Sequence, residues 1–224
     1  MRERILDEVE RLIAAKGVSG FKLRDVALPL GVQVPAIYKH YESRDDVLVE
    51  VSRRFIALLA DQFQSGGTLA PEPTLRRELD RFVEFKMLHP AYVRLALVDF
   101  ATPEGGMEYI KLAAGGTFLD NFSAGPLAPM HSRLRAVLRA GARARVFRRV
   151  DPTDFYRVVK AALLIRLVFP DDALLLARPT AAEIRKIQSW LWEVARRYVA
   201  RPKPPPPGVQ MTIASPASTC ALPM

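Results

Sequence analysis

Apolar residues recur at helical spacing along almost the whole chain, and no stretch sustains the two-residue alternation of a strand. Residues 2–16 set the pattern: Ile5, Leu6, Val9, Leu12 and Ile13 fall on one stripe, and Gly17 is the stop. A second short helix is predicted over 23–30, with Val26, Ala27 and Leu30 ahead of Gly31, and a third over 34–40. A long helix begins near Ser43, where Ser-Arg-Asp-Asp reads as a capping box with acids at the positive end of the dipole. It is expected to run to about residue 65, before Gly66-Gly67. Residues 66–73 (GGTLAPEP) read as a loop and a candidate domain junction.

Further helices are predicted at about 74–88 and 90–101, split at His89-Pro90, and at about 104–122, weakened by Gly115 and Gly116. A Gly/Pro-broken connection over 123–131 leads into a helix at about 127–147. Asp151-Pro152-Thr153-Asp154 combines a cap, a proline at the first helical position and an acid in the first turn, and opens a helix to about 169. Thr180-Ala-Ala-Glu183 is another capping box and opens the last helix, to about 200. The PKPPPP run at 202–207 cannot be helical, so 202–224 read as a low-complexity, disordered tail. The expected fold class is all-α, with about nine to ten helices.

Composition changes this picture little. The chain has 224 residues, 50% of them apolar and 25% charged, which suits a globular protein and excludes a wholly disordered one. No apolar run approaches the roughly 18 residues of a membrane span. The opening MRERILDEVERL is charged throughout, unlike a signal peptide. The single cysteine, Cys220, has no partner for an intramolecular disulfide, so a reducing, cytoplasmic setting is expected. The net charge of +9 suggests polyanions, but residues 1–50 hold 8 Lys/Arg against 9 Asp/Glu. The excess lies in residues 131–224, with 17 against 6, so any case for DNA must rest on a motif.

Such a motif is present. Three short helices, the second and third joined by the tight turn Leu30-Gly31-Val32-Gln33, form a helix-turn-helix pattern. Val32 and Ile37 are expected to pack the third helix on the second. Val34, Pro35, Ala36, Tyr38, Lys39 and His40 are left for other faces, where they suit groove and phosphate contacts. Spacing alone also allows a generic three-helix substructure with a solvated tip.

These residues resemble the TetR family of transcriptional regulators. The resemblance rests on Arg24-Asp25-Val26-Ala27, Gly31-Val32, Tyr38-Lys39-His40-Tyr41 and Arg44-Asp45-Asp46-Val47-Leu48, and covers about residues 3–50. The RARVFRRVDP stretch is also similar to many members. The resemblance implies a DNA-binding module over 1–48, a ligand-binding and dimerisation bundle over 49–201, and the tail over 202–224. It implies a homodimeric repressor that binds a double-stranded palindromic DNA operator and answers a small-molecule effector. The last two long helices would pair with their mates, and Arg44 would stand for a phosphate-touching lysine. Lys22 and Gln33 replace the usual Ser or Thr caps, and Pro29 lies inside the second helix.

An effector cavity within the bundle is expected to draw on Phe85, Tyr92, Phe100, Met107, Phe118 and Phe122, which suits an apolar or amphipathic molecule. Most of the aromatic and Met residues there read as core. The helix 155–169 is apolar nearly all round, with Arg157 and Lys160 as its polar stripe. Arg166 lies nine residues from Arg157, about 180° round at about 100° per residue, and is expected to point into the core or the dimer interface. There it would pair with a group such as Glu193, anchor an anionic part of the effector, or snorkel to solvent. The Arg-rich run 133–149 reads as a solvated face. No metal-ligand spacing, catalytic triad, carboxylate pair or phosphate loop stands out, so no cofactor, metal or enzymatic activity is expected. Two alternatives remain at this level: a ligand-binding dimer that has lost DNA binding, and a helical enzyme using the cavity.

Overall fold

Every regular element among the described residues of the computed structural model is helical. Those residues are 1–62, 70–100, 109, 112–113, 125–168 and 179–201, with only the backbone of 98–100. The elements are α1 (Arg2–Lys16), α2 (Leu23–Leu30), α3 (Val34–Tyr38), α4 (Arg44–Gln62) and α5 (Pro71–Leu88). They continue with α6 (Pro90–Phe100), α7 (Ala128–Arg143), α8 (Pro152–Val168) and α9 (Ala181–Val199). A single 3₁₀ turn, Val18–Gly20, links α1 to α2.

The helix starts are made as local sequence dictates. Ser43 Oγ accepts the Asp46 N–H at 3.1 Å while the Asp46 carboxylate accepts the Ser43 N–H at 2.8 Å. Thr180 and Glu183 form the same reciprocal pair, at 3.2 and 2.6 Å. Asp151 accepts from Thr153 N–H at 2.8 Å and Asp154 N–H at 3.1 Å. One start differs from expectation: α5 begins at Pro71 rather than 74, because Pro71 and Pro73 sit in a first turn whose N–H groups need no partner.

The end of α7 also differs. The helix stops at Arg143 rather than about 147. Arg145 adopts a left-handed φ of 58°. Val146 N–H then bonds the Gly141 carbonyl at 2.9 Å and Arg145 N–H bonds Ala142 at 3.2 Å, a Schellman-type stop with arginine where glycine is usual. The turn folds Phe147 back onto Gly141, buried at 4% exposure. It also brings Arg148 to the end of α9. The Arg148 N–H bonds the Val199 carbonyl at 2.9 Å, and its guanidinium bonds the Tyr198 carbonyl at 2.6 Å. Two carbonyls of the last turn of α9 are thereby satisfied, one by a backbone amide and one by a cation that also suits the dipole. The expected solvated arginine face is therefore mixed: Arg133 pairs with Glu78 and Arg148 caps α9, while Arg135, Arg139, Arg143, Arg145 and Arg149 are exposed.

α1 is the hinge of the architecture in packing terms, touching α2, α4 and α6. Its whole apolar stripe is buried. α5 is the centre of the larger part, packing on α9, α7 and α6, and α8 closes the layer against α9 and α7. On α8 the predicted phase needs correction. Lys160 is buried with Tyr156, Val159 and Leu163, whereas Arg157, Ala161 and Ile165 form the exposed stripe. Arg166 is half-buried. A lysine's aliphatic stem lets it enter a core that its charge would seem to forbid, so polarity alone misplaced the wet face. Glu193, suggested as a partner for Arg166 in the interface, pairs within the chain with Arg196 at 2.9 Å. Of the predicted helix over 104–122, Tyr109, Leu112 and Ala113 are helical; Gly115, Gly116 and the tail from 202 lie outside the described residues.

Candidate nucleic-acid interface and buried ligand site

The turn between α2 and α3 is fixed by backbone. Gly31 takes φ 67° and ψ 31°, a left-handed pair that a side chain resists. Val32 N–H bonds the Ala27 carbonyl at 3.1 Å and Gly31 N–H bonds Leu28 at 3.2 Å. Pro29 leaves α2 continuous to Leu30. At the start of α2 the Asp25 carboxylate accepts the Lys22 N–H at 2.8 Å. That hydrogen bond holds Asp25 below the ordinary carboxylate range. Lys22, with no acceptor, returns nothing.

α3 is anchored by Ile37, which is fully buried, and by the partly buried Val32 and Val34. Gln33 makes no side-chain cap. Pro35, Tyr38 and Lys39 are exposed, Tyr38 at 53%, and Ala36 and His40 are partly so. A short helix held by its apolar side thus presents an aromatic hydroxyl, an ammonium and small residues outward. On α2, packed against α3, Leu28 is 83% exposed, with Arg24 and Lys22 also exposed. Sequence reasoning passed over Leu28, although it lies off the Leu23, Val26, Ala27 stripe and so had to point outward.

Arg44 is placed differently from its neighbours in the motif. Its guanidinium donates to the Val18 carbonyl, lies 4.6 Å from the Phe21 ring centre, and sits 3.8 Å from Asp45. It ties the start of α4 to the turn after α1. Arg2 similarly covers the Tyr41 ring at 5.0 Å.

Behind this module lies an aromatic and polar joint. Phe55 of α4 packs edge-on against Tyr92 of α6, with centres 5.3 Å apart, and against His89 at 5.7 Å. His89 Nδ1 lies 3.4 Å from the Glu10 carboxylate of α1. Tyr92 in turn faces Phe85 at 5.8 Å.

The same rings enclose a cation. Lys86 is fully buried, and its Nζ stands 3.6 Å from the Tyr92 ring centre, 5.4 Å from Phe82 and 5.9 Å from Phe85. Among the described residues that Nζ has no hydrogen-bond partner. Burial, and secondarily the charge of Lys160, push Lys86 well below the ordinary lysine value. Lys160 is itself buried, and burial raises the nearby Tyr156 hydroxyl, with Tyr92 adding to the shift. Lys86 was not singled out from sequence, and Lys160 was read as part of a polar stripe; the available signal for Lys86 was its place one turn after Phe82 on the apolar stripe of α5.

Next to this cluster is an apolar cavity between α5, α7 and α8, lined by Leu75, Leu79, Phe82, Met130, Val137, Phe155, Tyr156 and Val159. Glu78 and Arg133 lie at its edge, paired at 2.8 Å. Of the residues expected to line an effector site, Phe85 and Tyr92 stand around Lys86 and Arg166 lies further along α8. The side chain of Phe100, and Met107, Phe118 and Phe122, lie outside the described residues. Among the described residues no group of His, Cys, Asp and Glu could hold a metal ion. No described helix is long and apolar enough to cross a membrane.

Solved structures share this helical fold. The sequence profile of bacterial regulatory proteins of the tetR family matches residues 5–51. Among solved structures, a tetR-family bacterial regulatory protein from Rhodococcus RHA1 is 18% identical, with a TM-score of 0.67 over 90% of this chain and 98% of that one. A ketosteroid transcriptional regulator of Mycobacterium tuberculosis is 16% identical, with a TM-score of 0.57 over 90% and 95%. A Saccharomonospora viridis protein in complex with choline is 21% identical, with a TM-score of 0.62 over 90% and 98%. The comparison with curated proteins finds no match.

Proposed function

We propose that the chain is a transcriptional regulator of the TetR family and works as a ligand-responsive homodimeric repressor of a palindromic operator. The module over residues 1–48 would read the major groove through Val34, Pro35, Ala36, Tyr38, Lys39 and His40. The body over 49–201 would dimerise and bind the effector. One observation carries the DNA reading: burial of Ile37 turns Pro35 and Tyr38 of α3, and Lys39 just after it, together to solvent. Pro35 and Ala36 suit base edges, and Tyr38 and Lys39 suit phosphates. Arg44 acts chiefly by holding α4 on the turn after α1, which orients α3, since its guanidinium already serves Val18 and Phe21.

The exposed stripe of Arg157, Ala161 and Ile165 on α8 supports a second copy as partner. Ile165 is 58% exposed there, an apolar residue that pairing of α8 and α9 with their mates would cover. Two recognition helices on one duplex face need half-sites about 34–36 Å apart. An effector that binds better to a dimer with another spacing lowers operator affinity by that difference and no more. The joint of Phe55, His89 and Glu10 offers a contact route from the body to α1 and α4.

Selection of bound fragments from random DNA by the full chain tests this reading. A palindrome with half-sites one turn apart is expected, with affinity falling steeply with salt. Absence of any sequence preference would leave a ligand-binding dimer without DNA recognition. That second reading draws on the uncapped start of α3 and the inward placement of Arg44.

A further inference from the structure

The run from His131 to Val150 holds seven arginines, no lysine and no acid. Arg133 is engaged with Glu78 and Arg148 with the end of α9. On other helices an arginine lies against an acid one turn before it: Arg11 on Glu8, Arg53 on Glu50, Arg157 on Asp154 and Arg196 on Glu193. α7 instead carries Arg135, Arg139 and Arg143 at successive i, i+4 positions, all exposed. Like charges at that spacing weaken the helix that carries them, so folding alone does not account for the stripe.

The stripe borders a groove against the connection from α7 to α8. Two adjoining hollows make up the groove and share Leu138, Arg139, Val150, Asp151 and Pro152. One, of about 430 Å³, adds Arg143 and Arg149; the other, of about 320 Å³, adds His131, Arg135 and Thr153. Both volumes suit a small molecule. Asp151 is the one acid among the described residues lining it, and its Oδ1 accepts the Thr153 and Asp154 N–H groups at 2.8 and 3.1 Å. The start of α8 is thus already capped, and the attraction for an anion comes from side chains. Burial, and secondarily Arg135, hold His131 below the ordinary histidine range, so it adds no charge near neutral pH. Four guanidiniums against one carboxylate leave a net charge of +3. A single phosphate group carries about −1.5 to −2, so the balance calls for more than one. The planar fork of arginine, present at every basic position here, matches phosphate oxygens.

The groove lies at the far end of the body from the helix-turn-helix. α5 ends at His89, beside Glu10 of α1, and begins about 27 Å away, where Arg76 lies over Trp192 of α9. Arg148, next to Arg149, bonds the end of that same helix. This is well beyond the ~10 Å screening length of ordinary salt, so the arginines do little for a duplex held on α3.

We propose that the groove is a binding site for a nucleoside polyphosphate. Arg139, Arg143 and Arg149 hold the phosphates in the larger hollow. The nucleoside lies over Leu138, Val150 and Pro152 toward the smaller one, with Asp151 at the boundary to accept from a ribose hydroxyl. The apolar floor favours this class over a bare polyanion, and hollows of this size favour one nucleotide over a strand. The site is separate from α3 and from the cavity between α5, α7 and α8, so it stands or falls apart from the repressor reading.

Equilibrium dialysis of the full chain against ATP, GTP, their monophosphates, their nucleosides and tripolyphosphate, in EDTA at about 0.1 M salt, tests the proposal. At least one triphosphate is expected to bind about tenfold or more tightly than its monophosphate and than tripolyphosphate, and the nucleosides not at all. Arg143→Ala and Arg149→Ala are each expected to weaken that binding about tenfold, with the fold intact by circular dichroism, since both residues are exposed. Arg197→Ala removes an equal charge from an exposed position of α9 outside the groove and is expected to leave binding unchanged. Equal losses for Arg197→Ala and Arg143→Ala would mean diffuse attraction to a basic surface and would overturn the site. Tripolyphosphate binding as tightly as both triphosphates would overturn the nucleotide class. Displacement of the bound triphosphate by non-operator duplex at equal phosphate concentration would make the groove a nucleic-acid surface and overturn it too. Failure of both triphosphates to bind would refute the proposal outright, whatever the chain does with DNA.

Discussion

Gly141→Ala reverses the ordinary effect of its type. In a helix interior, alanine is favoured over glycine by about 1 kcal/mol, and Gly141 lies inside α7. A Cβ built there would fall 1.9 Å from Phe147 Cδ2, 2.4 Å from Cε2 and 2.7 Å from Cγ. Carbon atoms rest about 3.5–4.0 Å apart, so the ring would have to retreat by well over an ångström. It has little room, being 4% exposed. Overpacking of this kind costs about 1–3 kcal/mol, and expelling the ring would lose a burial worth about as much. The backbone after Phe147 would move too, drawing Arg148 off the end of α9. The net expectation is a loss of about 1–3 kcal/mol, or roughly 2–12 °C in Tm for a protein of this size. Thermal unfolding by circular dichroism reads it directly. A double-mutant cycle with Phe147→Leu is expected to recover part of the loss, since the two sites are in contact. A Tm equal to or above that of the unaltered chain would refute the packing argument.

Other expectations are smaller but separable. Arg145→Gly removes a left-handed non-glycine residue from the same turn and is expected to stabilise by about 1 kcal/mol; a lower Tm would show that Arg145 makes a contact worth more than its strain. Lys39→Ala is expected to weaken binding to all DNA sequences with no change in Tm, whereas Arg44→Ala also lowers stability by about 1–2 kcal/mol, because its carbonyl and ring contacts are internal. Equal Tm values for the two variants would contradict that division. Lys86→Met is expected to raise stability by about 1–3 kcal/mol at neutral pH. Burial depresses Lys86 in the folded chain, so between its folded value and the ordinary 10.5 the unfolded chain holds the extra proton and stability rises with pH. Urea titrations from pH 7 to 10 are expected to show a shallower rise in the variant; parallel curves would mean that Lys86 is not depressed.

The helices, their starts and the helix-turn-helix were legible in the sequence because each is decided within a few residues. Ser43 with Asp46, Thr180 with Glu183, and Asp151 ahead of Pro152 cap their helices wherever the chain goes next. Gly31 stops α2 because its own φ allows it, and Ile37 goes inward because the period of so short a helix leaves it no other place. The outward set of Pro35, Tyr38 and Lys39 follows by subtraction. What the tertiary structure alone decided concerns amphipathic residues. A lysine has a four-carbon stem that fits a core and a head that fits water, so periodicity cannot say which end wins. Lys160 was read as wet and is buried, and Lys86 was passed over and is buried completely, because α5, α6 and α8 close around them. Arg44 had the same ambiguity, settled by a carbonyl 26 residues earlier in the chain. Gly141 looks like a weak point of a helix until Phe147 is folded onto it by the left-handed Arg145. Local sequence fixes dihedrals and caps, which cost energy one residue at a time. Burial is a property of pairs of elements, and only their packing shows which charges lose their water.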